Sequence, residues 1–347
     1  MNKTTAAFAA IILVVVVLVA SYSVYSLYVP SGNGSHGEAV TIVDATGAQV
    51  NVTLPVERVV SLNPGLTEII CALGCEDRIV GRDGQSVFPP SVSEKPVVGQ
   101  NSYDPNLEVL LEMEPDVVFA DSMLSYNTEA LKKLETAGLP VVIEEPSNVS
   151  RVRTVTSNFG LIFGEEEKAE EINNYITSYE NLVNERVKDL TSSEKPTVYI
   201  EWYQPWQTFT GDSAANEIIV NAGGVNIASE ITTTAPVLSP EYVVEKNPDI
   251  IVRMISGDLT GNTTGFEATH SELMNRAGLA EVTAIKDGKV YVYDPIVLEG
   301  IRYPVGLLYW AKWFHPSLFE DIDPATVHAE LIQQFFGVTL EGVYTYP

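Results

Sequence analysis

Sulfur and imidazole chemistry is scarce in this chain, with two cysteines and four histidines in 347 residues. Cys71 and Cys75 are too few for a disulfide framework or a thiolate metal site. They read as small thiols at a helix end or as a local bridge across one turn. His36, His270, His315 and His328 read as structural or solvated. Positive charge is also thin: 20 Lys and Arg stand against 46 Asp and Glu, a net −26. Phosphate recognition needs clustered Lys and Arg, so a nucleic-acid partner is excluded. Gly-x-Ser-x-Gly and a phosphate loop are missing. "GDSAANE" (211–217) superficially resembles an esterase nucleophile block, but the Asp-x-x-His pair such enzymes need is replaced by Asp323 and His328, five apart. No enzyme is indicated, and no catalytic residue, metal ligand or cofactor is assigned.

Charge is absent altogether from Ala6 to Val29, behind Lys3. A bilayer core takes about 20 apolar residues, so this run can cross one. An uncleaved anchor over 1–29 is the preferred reading. A removed signal peptide is the rival, with Leu18-Val19-Ala20 a mediocre cleavage site. No cysteine follows the run, which speaks against a lipid-anchored start. Either way the remainder is placed outside the cytoplasmic membrane, tethered to its outer face or released. Residues 30–39, small and polar, read as the tether. Asn-x-Ser/Thr triplets at Asn33, Asn51, Asn148 and Asn262 agree with export.

The rest has material for cores, since 45% of residues are hydrophobic. Residues 40–54 alternate as a hairpin with a turn at Thr46-Gly47. Short apolar strands follow at 58–62, 78–81, 116–120 and 140–144, separated by helical patterns at 66–74, 105–114 and 127–138. Asp104 reads as N-cap of the middle helix, with Pro105 at its first position. Such alternation indicates a parallel α/β sheet. Residues 165–190 differ: Ile172, Tyr175, Ile176, Tyr179, Leu182 and Val183 recur at helical spacing over about 39 Å. After "TSSEKP" the strand–helix alternation restarts at 197.

The restart is a second copy. "NLEVLLEMEPDVVF" (106–119) aligns with "EYVVEKNPDIIV" (241–252) at an offset of 133, placing Glu108 on Glu241 and Asp116 on Asp249. Glu68 falls on Glu217 and Pro146 on Pro295 at an offset of 149. Lobe two is therefore 16 residues shorter before its glutamate helix and 16 longer after it, around 256–270. Length changes of that kind belong in loops. The expected architecture is an N-terminal lobe over 40–164, a bridging helix over 165–190 and a C-terminal lobe over 191–347. Each lobe is Rossmann-like, with a parallel sheet.

Ligands of open parallel sheets bind beyond the carboxyl ends of the strands. Those ends carry Asn63, Arg82, Tyr103, Asp121 and Ser122 in lobe one. In lobe two they carry Trp202, Tyr203, Trp206, Arg253, Arg302 and Tyr303. Facing lobes would line a cleft with aromatic faces that stack on a macrocycle, and with guanidinium forks that orient anions. Arg302 is the leading pocket candidate.

Several stretches in this order resemble the ABC-transporter substrate-binding proteins for iron–siderophore, haem and cobalamin uptake. They are "RVVSLNPGLTEIICALGCEDRIVGRD" (58–83), "KPVVGQNSYDPNLEVLLEMEPDVVFA" (95–120), the single long helix, "KDGKVYVYD" (286–294) and "YPVGLLYWAKWFHPSLFEDI" (303–322). The resemblance covers about residues 40–340. It implies two rigid lobes that capture a metal chelate, carried rather than used, and deliver it to a permease dimer driven by an ATPase. It also implies a docking glutamate on each lobe, matched by position to Glu108 and Glu241, and a monomeric binder. The few basic residues depart from catecholate binders. Tyr103, Tyr203 and Tyr303 are the possible axial ligands for haem. Siderophore, corrinoid and haem all stay open. A ligand-sensing receptor domain with the same fold and no transport role is the alternative.

Overall fold

Runs of Val, Ile and Tyr too short for helices become the strands of two five-stranded sheets in the computed structural model, which describes residues 38–233, 235–255 and 261–347. Strands β1 (Ala39–Val43) and β2 (Gln49–Thr53) pair antiparallel as the expected hairpin, turning through Gly47 at φ +82°. The first sheet is wholly parallel. It comprises β3 (Val59–Ser61), β4 (Ile79–Asp83), β5 (Val97–Gly99), β6 (Val117–Ala120) and β7 (Val141–Ile143), in the order β5-β4-β3-β6-β7. The second comprises β8 (Thr197–Glu201), β9 (Val225–Asn226), β10 (Ile250–Met254), β11 (Val290–Tyr293) and β12 (Thr345–Tyr346), in the order β12-β11-β10-β8-β9. Only β12 runs antiparallel.

The repeat is visible in the topology. The order β4-β3-β6-β7 in one sheet matches β9-β8-β10-β11 in the other. Each sheet then adds one strand at an opposite edge: β5 beside β4, and β12 beside β11. The helix Pro64–Ala72 after β3 corresponds to Ala214–Asn221 after β8, and Leu107–Glu112 before β6 to Pro240–Lys246 before β10.

The repeated Pro-Asp has a local cause. Asp116 accepts the backbone N–H groups of Glu57 and Arg58 at 2.8 Å each, pinning the start of central strand β3. Asp249 accepts from the Thr197 amide at 2.8 Å and from its hydroxyl at 2.7 Å, pinning the start of β8. Each aspartate satisfies donors that a strand end leaves open.

The two glutamate helices differ in their caps. Ser239 caps Pro240–Lys246 by accepting from Tyr242 N, with proline at the first position. In lobe one the cap is Asn106, accepting from Val109 N, so the helix begins at Leu107. The expected Asp104 cap and Pro105 start are corrected, because Pro105 forms a bridge with Gly99 instead. Glu108 and Glu241 nevertheless occupy the same second helical position.

The long helix runs Glu166–Val187, slightly inside its expected bounds, with Glu166 and Glu167 first and Arg186 last, as the dipole favours. A second helix, Val152–Phe163, precedes it and is broken off by Gly164 at φ +71°. Ala169 packs where a Cβ on Gly160 would come within 2.6 Å, so the two helices meet closely there. Ile172, Ile176 and Val183 join one apolar core with Phe119 and Phe159 of the first lobe and Val198 and Trp310 of the second. Full burial of each such side chain contributes about 1.5–3 kcal/mol. Residues 39–347 accordingly form one compact unit. The opposite sheet faces pack separately against the glutamate helices, through Leu110 and Val243. The expected anchor over 1–29 lies outside the described residues, as do Asn33 and His36. Among the described residues no helix is long and apolar enough to cross a membrane.

Candidate ligand-binding cleft

The carboxyl ends of equivalent strands meet where β7 and β11 exit. Gly300 N donates to Pro146 O at 2.8 Å. A Cβ on Gly65 would stand 2.9 Å from Pro146 Cβ, and one on Gly300 would stand 2.8 Å from Gly65 O. Only hydrogen side chains allow this approach, and Gly300 also takes φ +49°. The contact ties the lobes together and forms the floor of the space between their strand ends.

Carboxylates ring that floor. Asp83 ends β4 and is buried, accepting from Ser86 Oγ and, at 3.1 Å, from Gln85 N. Asp121 follows β6 and accepts from Asn63 Nδ2 at 3.0 Å and from Ser102 Oγ. Glu145 follows β7 and accepts from Ser122 N at 3.2 Å. Glu299 reaches in from lobe two with Oε2 shut off from solvent and without a hydrogen-bond partner. Burial, and then the charges of Asp121, Glu68, Asp294 and Asp83, push Glu299 up to about 8. Burial likewise lifts Asp83 and Asp294 to about 6. The floor therefore favours bound protons and hydrogen-bond donors and repels anions.

Three arginines expected to orient a ligand are engaged elsewhere. Arg82 is buried and donates to Val92 O at 3.0 Å, Asp83 O at 2.9 Å and Ser93 O at 2.6 Å. Arg253 is held by Glu201 at 2.9 Å and Glu272 at 2.6 Å. Arg302 is 1% exposed, with Nε on Glu68 Oε2 at 2.7 Å and Nη1 at 3.0 Å from His328 Nε2. Phe88 and Tyr344 cover its guanidinium at 4.5 and 5.3 Å. The expectation of Arg302 as a pocket residue is corrected: it is a buried cross-link between the lobes. Tyr303 is also fully buried and lines a different cavity, so it offers the cleft no surface.

The aromatic candidates separate into two groups. Trp202 lies 5.2 Å from Tyr203 and 5.5 Å from Phe209, and Tyr203 is 42% exposed, so these rings present a face at the end of β8. Trp206 packs instead on the outer core of lobe two, under Arg276 at 4.8 Å. Its backbone sits at φ +68°, held by a 2.8 Å bond from its N–H to the buried Glu201. In lobe one Tyr103 is 47% exposed and Ser122 half-buried, while Asn63 is turned inward as the cap of Pro64–Ala72. The structure thus brings Asn63 and Ser122 to the carboxylates of the floor, and Tyr103, Trp202 and Tyr203 remain open.

Glu299, Asp83 and Glu145 escaped the sequence reading, which sought aromatics and cations. The signal available was position for Asp83 and Glu145, which sit at or just beyond a strand end, whereas Glu299 lies six residues past β11 and carried no such mark. Cys71 and Cys75 are free and buried, so the bridge reading fails. Burial pushes Cys75 up to about 11 and holds Cys71 above the usual thiol range, leaving both unreactive. Glu108 and Glu241 are exposed on the outer helices.

A family profile described as periplasmic binding protein matches residues 59–297. An uncharacterised ABC transporter substrate-binding lipoprotein of Bacillus subtilis is 29% identical over 288 residues, covering 81% of this chain and 87% of that protein. A cobalamin-binding protein of Halobacterium salinarum is 28% identical over 271 residues, covering 75% of this chain and 71% of the other. Among solved structures, a TroA-like periplasmic binding protein, FepB, from Veillonella parvula is 26% identical. It superposes with a TM-score of 0.72 over 88% of this chain and 99% of that one.

Proposed function

The chain belongs to the periplasmic binding protein family, and from that premise we propose that it captures a cobalamin-type corrinoid for an ABC importer. Members of this family are transport components that bind and hand over rather than react, working outside the cytoplasm. The observation that carries the choice of cargo is the floor. Asp83, Asp121 and Glu299 ring it, while Arg82, Arg253 and Arg302 are bound within the protein. A ferric catecholate or a haem brings several negative charges and finds no free guanidinium among these. A corrinoid presents neutral carboxamides, whose N–H groups suit carboxylate acceptors, and a broad ring that Tyr103, Trp202 and Tyr203 can cover. The relatives named for cobalamin support the same reading.

Titrating the purified protein with aquocobalamin, haemin and a ferric tris-catecholate, read by tryptophan quenching and calorimetry, tests the cargo. Cobalamin should bind at least a hundredfold more tightly than either anionic chelate. Preference for the catecholate would overturn the reading.

Delivery rests on Glu108 and Glu241, exposed at the same helical position in each lobe. Two equivalent anionic pegs suit a permease dimer with paired cationic pockets. Glu108→Ala and Glu241→Ala should leave cargo affinity intact and lower uptake. Reversal to Arg should be worse than Ala through like-charge repulsion. Weakened cargo binding with normal uptake would move these residues out of a docking role.

A further inference from the structure

The two glutamate helices repeat more than their pegs. Leu111 and Val244 stand at the same helical position under the offset of 133, and both are 39% exposed. Among the described residues they are the one pair of exposed large apolar side chains that either offset relates. Leu110 and Val243, the residues just before them, fill the cores beneath at 0% exposure. The buried face of each helix is thus served by a different residue, and the repeated apolar side chain faces water. Glu112 and Glu245, one residue further on, are repeated and exposed as well.

At 3.6 residues per turn, positions i, i+3 and i+4 share a stripe about 100° wide and about 6 Å long. Each helix therefore presents a carboxylate, an apolar side chain and a second carboxylate on one outward face. Among the described residues none of the four carboxylates has an ion-pair partner. Cations beside them are engaged elsewhere. Arg58 Nε donates to Met113 O at 3.0 Å, and the Lys246 ammonium lies over the Tyr242 ring at 5.4 Å. A second copy of this chain, an anionic lipid or a nucleic acid would be repelled by such a face. A cationic partner built twice over would satisfy both stripes at once.

We propose that Glu108–Leu111–Glu112 and Glu241–Val244–Glu245 are two copies of one docking surface. Each seats its apolar side chain in a recess between cations on a dimeric partner. This rests on the docking role given above to Glu108 and Glu241, and adds to it a contact that salt does not screen. Removing Leu111 and Val244 from water is an attraction that ionic strength leaves intact. The carboxylate contacts fade as the screening length drops to about 3 Å at 1 M salt.

Docking of the cobalamin-loaded protein on its permease–ATPase complex in nanodiscs, followed by interferometry from about 0.05 to about 1 M sodium chloride, separates the two contributions. Leu111→Gln and Val244→Thr should each weaken docking about fivefold at every salt concentration. Combined, they should abolish the docking that survives at about 1 M. Glu112→Gln and Glu245→Gln should each weaken it about threefold at low salt and leave it unchanged at high salt. All four variants should keep the parent's cobalamin affinity and melting temperature, since the side chains are exposed and outside the cleft. Parental docking by the Leu111→Gln, Val244→Thr double variant, with Glu108→Ala and Glu241→Ala impaired, overturns this inference and leaves the pegs standing. Full docking by Glu108→Ala and Glu241→Ala overturns the peg reading itself, whatever the apolar variants do. Sedimentation that shows the parent dimeric and the double variant monomeric would make the stripes a self-association surface and also overturn the proposal.

Discussion

Arg302 and Glu68 illustrate how one pair can be costly and still necessary. Both are at most 2% exposed, and their 2.7 Å bond spans the two lobes. Removing one partner strands a buried charge, so Arg302→Met or Glu68→Gln should destabilise by about 3–5 kcal/mol in urea melts. Exchanging both for apolar residues of similar volume should recover most of that loss. A double variant as unstable as the single ones would show that Phe88 and Tyr344 packing, not the charge, sets the cost. His328 stays neutral beside the pair, since burial and the Arg302 charge hold it down to about 3. Glu299, Asp83 and Asp294 impose a pH dependence of definite sign. Their folded values, about 8, 6 and 6, lie above the roughly 4 of an unfolded carboxylate. The folded protein therefore holds protons that the unfolded chain has lost, and stability from these groups falls as pH rises from about 4 to about 8. Glu299→Gln should flatten the upper part of that fall, between about pH 6 and 8, and raise the melting temperature at pH 8. An unchanged slope in the variant would remove Glu299 from the account.

At the level of elements, the sequence was legible wherever a pattern is local. The hairpin, the short parallel strands, the long helix and the doubled glutamate helices all follow from periodicity and from the two offsets. The Pro-Asp pair is the clearest case. Asp116→Ala and Asp249→Ala should each cost about 1 kcal/mol, the usual worth of lost hydrogen bonds, seen as a lower urea midpoint. The larger loss should come at Asp249, whose partner Thr197 gives two bonds from a half-buried site. A silent Asp249→Ala would mean that solvent replaces both bonds. What sequence could not give was the direction of side chains whose partners lie far along the chain. Arg302 sits 234 residues from Glu68, so nothing near "EGIRYP" marked it as buried. Arg82 read as a ligand-orienting strand-end cation because the carbonyls that hold it, in residues 92–93, sit in a Pro- and Ser-rich loop without periodicity. Asp104 read as a cap for a related reason: the bridge that diverts Pro105 comes from β5, a strand that sits in a Pro- and Ser-rich stretch and reads as loop.

Across the whole molecule, −26 net charge sets a background of self-repulsion. Salt shortens its range, from about 30 Å at 0.01 M to about 8 Å at 0.15 M. Melting temperature should therefore rise as sodium chloride is raised over that range, and a flat profile would mean that local pairing already offsets the repulsion. The lobes share one core along the bridging helix and are joined again at Pro146–Gly300 and Arg302–Glu68. Scattering of the free and cobalamin-bound protein should then give radii of gyration equal within about 1 Å, unlike a hinge that closes around ligand. A clear contraction on binding would show that the seam opens. The double fastening has a consequence for the direction of flow in the proposed importer. A jaw that hardly yields cannot trade its own opening against the grip on its load. Capture is then spontaneous and unloading is uphill, so the work of prising cargo loose falls to the nucleotide-driven machine it docks on.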